Sequence, residues 1–232
     1  LVLGLISILG KITVDNYFYK RDWPWMFFFS LLMWFFISQD SVLQKYEGLI
    51  LFLILIFFTL TIIKKSNYLD FKGSIDDELL KTSNFKIFIW LIISSITLYF
   101  GSEFLVDGAV NLAKQISISE AVISVTIVAI GTSVPELAAS LVAIAKKEEG
   151  ISVGNLIGSN IYNIGSVLGI TAMIKEIPIA EEIIQREIIW MLIFALIVIV
   201  LAIIPRKNYL TSFKGLIIFS MYLYFIFIAF VQ

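Results

Sequence analysis

The 232-residue chain has no cysteine and no histidine. Disulfides, thiolate metal sites, histidine-based zinc sites and histidine proton relays are therefore excluded. Charged residues are also scarce, at 15% of the sequence, whereas 59% of the residues are hydrophobic and the mean hydropathy is +0.97. An average soluble domain is roughly half apolar and one quarter charged. The balance found here is typical of an integral membrane protein, and the net charge of −1 gives no indication of a nucleic-acid partner.

Long apolar segments dominate the sequence. Seven of them are long enough to cross a bilayer as helices, because a helix rises 1.5 Å per residue and must span about 30 Å. They cover residues 22–39, 47–63, 85–112, 120–145, 151–174, 187–205 and 211–231. Residues 1–10 form a further apolar piece that is too short to span. We therefore predict an all-α, polytopic membrane protein.

Lysine and arginine are distributed unevenly between alternate loops. Thirteen fall on the side that contains the long polar connection 64–84, and four fall on the other side. Basic residues are enriched in cytoplasmic loops of membrane proteins. The bias predicts insertion in the cell (inner) membrane with 64–84 in the cytoplasm and the C-terminus outside.

The sequence also indicates an internal repeat. Val2-Leu3-Gly4 matches Val167-Leu168-Gly169, and Arg21-Asp22 matches Arg186-Glu187, at an offset of 165 positions. Residues 48–52 match residues 215–219 at an offset of 167. The two copies are separated by an odd number of predicted helices, so they must cross the membrane in opposite directions. Chance similarity between apolar helices is the alternative, but several matches in one order favour the inverted repeat typical of secondary transporters.

Residues 129–136, Ala-Ile-Gly-Thr-Ser-Val-Pro-Glu, place polar groups in the middle of an apolar span. Pro135 lacks an N–H and clashes with the carbonyl four residues earlier, so the helix should break near Gly131 and free backbone carbonyls. Thr132 and Glu136 are four residues apart and share a helix face. Hard cations prefer carboxylate, hydroxyl and carbonyl oxygens, and an acid within a membrane is usually functional. The segment predicts a cation path; the alternative is an ordinary kink with hydroxyls bonded to the helix backbone.

The next span contains a second polar group, in the sequence Gly-Asn-Leu-Ile-Gly-Ser-Asn-Ile-Tyr-Asn (154–163). Its glycines, with the one that follows, are expected to form a single small-residue face for a neighbouring helix: Gly154, Gly158 and Gly165. Three polar residues recur every four positions beside that face: Asn155, Ser159 and Asn163. A short antiparallel hairpin would let Ser159 and Asn163 direct oxygens toward Glu136. For Asn155 and Asn160, hydrogen bonding between helices is as well supported as cation binding.

Gly-Thr-Ser-Val-Pro-Glu (131–136) followed by residues 154–163 resembles the second alpha repeat of the cation/calcium exchanger superfamily. Within that superfamily the chain is most similar to prokaryotic sodium/calcium exchangers. The resemblance covers 120–174 closely, and 85–112 and 187–231 more loosely. It implies ten helices in two inverted five-helix halves, each of which supplies one Glu to a central site. It further implies a secondary active cation antiporter that exchanges Na⁺ for Ca²⁺ by alternating access, without an enzymatic reaction or a cofactor.

The resemblance implies a role for each residue of the motif. Glu136 would be the carboxylate shared by Ca²⁺ and Na⁺. Thr132 and Ser133 would supply a carbonyl and a hydroxyl, and Ala129 a backbone carbonyl to a Na⁺ site. Ser159 would bind Na⁺. Asn163 stands where many sodium/calcium exchangers carry Asp, which removes one negative charge from the site. Exchange of other cations, by a Na⁺/H⁺ or K⁺-coupled reaction, therefore remains an alternative.

Only one of the two Glu-bearing repeats is in the sequence. By the resemblance, residues 1–63 are a remnant of the first half (a helix tail plus two transmembrane helices), 64–84 a cytoplasmic loop, and 85–232 the second half with five transmembrane helices. The expected architecture is an incomplete inverted-repeat exchanger fold. A non-transporting membrane fragment, or a subunit that assembles with a partner carrying the missing first half, is the remaining alternative. The expected partners are thus Ca²⁺, Na⁺, the lipid bilayer and that missing half.

Overall fold

The computed structural model describes residues 1–10, 12–66, 82–115, 129–146, 149–205 and 208–231. The chain divides into two compact units, residues 1–64 with 139–232, and residues 65–138. All long elements in the described ranges are α-helices, as the composition predicts, and each strand there has only two residues. The first unit holds all of these strands and most of the helices.

The helices and strands of the first unit follow one another in two similar series. The first series is α1 (Val2–Leu9), β1 (Ile12–Thr13), a π-helical turn (Phe18–Asp22), α2 (Trp23–Asp40), β2 (Val42–Leu43) and α3 (Lys45–Ser66). The second series follows the second unit in sequence. It consists of α7 (Glu149–Tyr162), a π-helical turn (Asn163–Leu168), α8 (Gly169–Ile174), β3 (Ile177–Pro178), a third π-helical turn (Ile183–Glu187), α9 (Ile188–Ile203), β4 (Tyr209–Leu210) and α10 (Ser212–Val231).

The second unit contains α4 (Asn84–Gln115) and α5 (Ala129–Thr132). The next helix, α6 (Val134–Ala145), begins in this unit and ends in the first. The side chains of α4 are exposed from Asn84 to Gly101, where the helix is rich in Phe, Ile and Leu. An apolar helix whose side chains are exposed over this length is suited to lipid contact.

Four helices in the described ranges are long and apolar enough to cross a membrane, namely Lys45–Lys64, Asn84–Gln115, Val153–Ile174 and Ile183–Ile203. The predicted spans 22–39 and 211–231 also correspond to helices, α2 and α10, and residues 1–10 contain the short helix α1. Of the predicted span 120–145, residues 129–145 are described, and 116–128 lie outside the described residues. The prediction of a multi-pass, all-α membrane protein is confirmed.

Helix ends in the first unit follow from local chemistry. The α2 helix has Pro24 in its first turn and ends at Ser41, whose left-handed backbone (φ 58°) lets its N–H donate to the Ile37 carbonyl. At the start of α3, Glu47 is buried and its Oε2 accepts the Gln44 N–H at 2.9 Å. A carboxylate at this position satisfies a helix N–H that would otherwise lack a partner.

Two small antiparallel sheets connect the two series. Strand β1 pairs with β4, with Ile12 opposite Leu210, and β2 pairs with β3, with Leu43 opposite Ile177. The sequence offset of 165 relates β1 to β3, and the offset of 167 relates β2 to β4. Each sheet therefore joins the first strand of one copy to the second strand of the other copy. This reciprocal pairing is what a pseudo-two-fold axis between the copies requires.

Glycine contacts obey the same reciprocal rule. A methyl group placed on Gly215 of α10 would lie 2.8 Å from the Gly4 carbonyl oxygen of α1. A methyl group on Gly48 of α3 would lie 2.5 Å from the Gly169 carbonyl oxygen of α8. The repeat offsets relate Gly4 to Gly169 and Gly48 to Gly215. The two close helix crossings are therefore equivalent, and each uses one glycine from each copy to bring the backbones together.

The repeat extends to the irregular parts of the helices. The π-helical turns Phe18–Asp22 and Ile183–Glu187 are separated by 165 positions and each precedes a long helix. Each contains an ion pair between neighbours in sequence, Arg21–Asp22 at 2.6 Å and Arg186–Glu187 at 2.8 Å. The division of the chain into a first-half remnant, a loop and a second half stays a prediction.

The first unit is further held together by two aromatic side chains near the start of α2. The Trp23 indole N–H donates to the Ala195 carbonyl of α9 at 2.8 Å. The Tyr19 hydroxyl donates to the Ala202 carbonyl at 2.9 Å and accepts the Asn208 N–H at 3.2 Å. Residues far apart in sequence are thus joined by hydrogen bonds in addition to apolar packing.

Candidate cation-binding residues

The helix that carries the proposed carboxylate is interrupted where the sequence predicts. The α5 helix ends at Thr132, Ser133 adopts a turn conformation, and α6 begins at Val134. Pro135 lies in the first turn of α6, where its missing N–H costs nothing. The Ser133 carbonyl accepts the Leu137 N–H at 3.0 Å. The predicted break in the helix between Gly131 and Pro135 is confirmed.

Gly131 is required by the packing within the second unit. A methyl group on Gly131 would lie 1.9 Å from Cγ2 of Val106 on α4 and 3.3 Å from its Cβ. Any larger residue at position 131 must therefore displace α4 from α5. The sequence predicted that Gly131 gives the backbone flexibility next to the proline. The structure shows a second role for this glycine, which is to allow the close approach of α4.

We expect Gly131→Ala to destabilise the second unit by about 1–3 kcal/mol, because the added methyl overlaps the branched Val106 side chain. Val106→Ala in the same chain removes the colliding Cγ2 atom and should restore most of the lost stability. The measurement is the apparent melting temperature of the single and double variants in detergent. Equal melting temperatures for Gly131→Ala and the double variant would contradict this packing.

Glu136 lies in the first turn of α6 and is partly buried. Its Oε2 atom is inaccessible to solvent and has no hydrogen-bond partner among the described residues. A carboxylate oxygen in that situation is costly unless a cation, a proton or a donor reaches it. Ser140, on the following turn of α6, is fully buried, and within the same ranges its hydroxyl also lacks a hydrogen-bond partner. The sequence did not predict a role for Ser140, since a lone serine in an apolar span carries no signal.

The polar residues of α7 differ in their partners. The Ser159 hydroxyl donates to the Leu156 carbonyl at 3.1 Å, which leaves its oxygen lone pairs for a ligand. The Asn160 amide also donates to Leu156, at 2.8 Å, which agrees with a structural role. The Asn155 Nδ2 is buried and has no hydrogen-bond partner in the described part of the chain. The hydrogen bonding of the Asn155 amide is therefore incomplete within those ranges.

Asn163 is the first residue of the π-helical turn that follows α7, and its side chain is exposed. The sequence predicted that Gly154, Gly158 and Gly165 form one small-residue face. A methyl group on Gly165 would lie 2.8 Å from Leu55 Cβ, whereas a methyl group on Gly154 or Gly158 would have nothing within 4 Å among the described residues. The wider π-helical turn rotates the two parts of the helix relative to each other.

The six residues predicted to bind cations fall in both units. Ala129, Thr132, Ser133 and Glu136 belong to the second unit, and Ser159 and Asn163 to the first. Within each unit they follow one another on consecutive helical turns. Over the described ranges, no three Asp or Glu side chains lie close enough together to hold a metal ion. A cation held by these residues would therefore depend on neutral oxygens beside Glu136.

The pattern of the family described as sodium/calcium exchanger protein matches residues 1–64 and 86–231. The chain belongs to the sodium/calcium exchanger family. Among curated relatives, it is 36% identical over 183 residues to the putative antiporter CaxA of Alkalimonas amylolytica, covering 75% of this chain and 56% of that protein. It is 32% identical over 206 residues to the inner membrane protein YrbG of Escherichia coli, covering 85% and 62% respectively.

The fold also matches a solved exchanger. The structure of the sodium/calcium exchanger from Methanococcus jannaschii superimposes with a TM-score of 0.72 at 27% identity, covering 97% of this chain and 70% of that one. The family assignment agrees with the resemblance drawn from the two motifs. The chain spans less than two thirds of the length of these two curated relatives.

Proposed function

We propose that this member of the sodium/calcium exchanger family exchanges Na⁺ for Ca²⁺ by alternating access. The observation that carries the proposal is the Glu136 carboxylate, which has a buried, unpartnered oxygen beside an interrupted helix in a membrane segment. Ala129, Thr132 and Ser133 on the same segment, with Ser159 and Asn163 on the next, supply the carbonyl, hydroxyl and amide oxygens that hard cations accept. The cations are the transported substrates, and no cofactor is invoked.

The test is uptake of radioactive Ca²⁺ into proteoliposomes loaded with Na⁺. The proposal expects Ca²⁺ uptake that depends on the outward Na⁺ gradient and disappears when Na⁺ is equal on both sides. Uptake driven equally well by a proton or K⁺ gradient would favour exchange of another cation. Competition by unlabelled Na⁺, K⁺ and Ca²⁺ in the same vesicles separates these alternatives.

A second candidate follows from the length of the match and the single Glu-bearing motif. Here the chain acts as one component of an exchanger and needs a partner that carries the first alpha repeat. One carboxylate gives a divalent ion too little charge compensation in a low-dielectric site. The test is the same flux assay, with the chain alone and with a co-expressed membrane segment that carries a Gly-Thr-Ser-x-Pro-Glu motif. Flux that appears only on co-expression supports this second candidate.

The charge of the two sheet regions supports a proposed orientation in the cell (inner) membrane. Near the β1–β4 sheet the basic residues outnumber the acidic ones, with Lys20, Arg21 and Lys214 against Asp15 and Asp22. Near the β2–β3 sheet the acidic residues outnumber the basic ones, with Asp40, Glu176, Glu181 and Glu182 against Lys45 and Lys175. Basic residues are retained on the cytoplasmic side. We therefore propose that the β1–β4 sheet lies on the cytoplasmic side and that the C-terminus lies outside.

Asn163→Asp is expected to raise the preference for Ca²⁺ over monovalent cations on the order of tenfold, because one added negative charge favours a divalent ion more strongly. The measurement is the ratio of Ca²⁺ to Na⁺ apparent affinities in the flux assay. Asn160→Asp is the matched control, since it adds the same charge to an exposed residue whose amide bonds the Leu156 carbonyl. An unchanged ratio in Asn163→Asp would exclude Asn163 from the site.

A further inference from the structure

The π-helical turn Asn163–Leu168 is defined by its hydrogen bonding. The Gly169 N–H donates to the Ile164 carbonyl, five residues earlier, in place of the usual four. Such a turn contains about one residue more than an α-helical turn, and single π-helical turns occur frequently at functional sites. This turn lies in the interior of the membrane-spanning helix Val153–Ile174, whereas the turn Ile183–Glu187 forms the start of the spanning helix Ile183–Ile203.

The burial pattern shows what the extra residue does. Buried positions recur every four residues through this helix, at Val153, Ile157, Ile161, Gly165 and Gly169. An α-helix has 3.6 residues per turn, so a four-residue spacing would drift steadily around an uninterrupted helix. The π-helical turn absorbs the drift, since one additional residue corresponds to about 100° of rotation. The helix thereby buries a different sequence face before the turn than after it.

In a continuous α-helix, Gly154, Gly158, Gly165 and Gly169 would share one face. The structure separates them. Gly165 and Gly169 pack against α3, where a methyl group on Gly169 would lie 3.1 Å from the Gly48 carbonyl oxygen. A methyl group on Gly154 or Gly158 would have no atom of the described ranges within 4 Å. The polar residues Asn155 and Ser159 follow these two open glycines in sequence.

We propose that the π-helical turn Asn163–Leu168 is the positioning element of the candidate cation site. It rotates the face that bears Gly154, Asn155, Gly158 and Ser159 away from the side on which α8 packs against α3. Gly165 and Gly169 can then pack against α3 while the α7 face points in a different direction. This role in cation binding rests on the proposed function, whereas the rotation itself does not.

The rotation is tested by spin labelling, for which a chain without cysteine is a suitable background. Single cysteines at Tyr162, Val167 and Thr171, all exposed, are labelled with a nitroxide in vesicles, and mobility and oxygen accessibility are measured. The π-helical turn makes all three labels mobile and accessible, because the five residues from Tyr162 to Val167 complete about one wide turn. A continuous α-helix would instead place Val167 on a different face from Tyr162, so the Val167 label would be immobile while the Tyr162 label is mobile. That result would overturn the proposal.

The positioning role is tested by deleting Val167, which converts the wide turn to an α-helical one. The matched control is Val167→Ala, which alters the same exposed side chain but keeps the residue count. The deletion should lower Na⁺-dependent Ca²⁺ flux by at least about tenfold, since small displacements of binding groups have large effects. The control should retain the flux of the unaltered chain. Equal flux in the deletion variant and the control overturns the positioning role.

Size-exclusion chromatography shows whether the deletion variant is folded. If it is not, the spin labels in the undeleted chain still test whether the π-helical turn rotates the helix. Absence of flux in the unaltered chain, alone and co-expressed, counts against the proposed function. The labels at Tyr162, Val167 and Thr171 still report the turn in that case, so the two failures are distinguishable.

Discussion

Glu136→Gln will reduce Na⁺-driven Ca²⁺ flux to the level of empty vesicles. The side chain keeps its shape and loses its charge, so the change isolates electrostatics from packing. A pair of unit charges 4 Å apart interacts with about 4 kcal/mol at an effective dielectric constant of about 20. Loss of that attraction corresponds to roughly a thousandfold in affinity. The measurement is initial Ca²⁺ uptake by proteoliposomes that contain equal amounts of variant and unaltered protein.

Glu103→Gln is the matched control, because Glu103 is an exposed acid on α4, far in sequence from the interrupted helix. It should exchange Ca²⁺ at close to the unaltered rate. Flux that survives Glu136→Gln would remove the carboxylate from the transport site and with it the basis of the proposed exchange. Equal loss in both variants would indicate that general membrane charge, and not a specific ligand, drives uptake.

Gly48→Ala will have the largest effect on stability among single-methyl changes in the first unit. The added Cβ would lie 2.5 Å from the Gly169 carbonyl oxygen and 2.7 Å from Ala172 Cβ. A backbone oxygen cannot move aside as a flexible side chain can, so α3 and α8 must separate. Overpacking of this kind costs about 1–3 kcal/mol. The measurement is the apparent melting temperature in detergent, which should fall by several degrees.

Gly158→Ala provides the comparison for Gly48→Ala. It adds the same methyl group to another transmembrane helix, at a position where no described residue lies within 4 Å. Alanine favours a helix over glycine by about 1 kcal/mol, so the melting temperature should stay the same or rise. A fall of equal size in both variants would show that the α3–α8 crossing does not limit stability.

Much of the fold follows from patterns that the sequence states directly. Helix positions were predictable because apolar runs of about 20 residues leave few other structures in a bilayer. The break near Pro135 was predictable because proline removes a hydrogen bond at a known position. The repeat was detectable from matches such as Arg21-Asp22 with Arg186-Glu187, and the paired strands and glycines follow the same offsets.

Other features depend on three-dimensional contacts that no local pattern reports. The π-helical turn at Asn163 arises because α7 and α8 pack against different neighbours. The spacing of the glycines suggests a single helix face, but the structure divides these glycines between two faces. Gly131 looked like a flexible residue beside a proline, whereas its limiting contact is Val106, 25 positions earlier in the sequence. The buried hydroxyl of Ser140 and the unpartnered amide of Asn155 became apparent only from their surroundings. The binding roles of Glu136, Ser159 and Asn163 remain predictions.

The exchange of strands and glycines between the copies has a consequence for biogenesis. Strand β1 pairs with β4 and helix α1 packs against α10, and both partners are synthesised much later than β1 and α1. During synthesis β1 and α1 are therefore in the membrane for some time without these contacts. Their packing is completed only once β4 and α10 have been made.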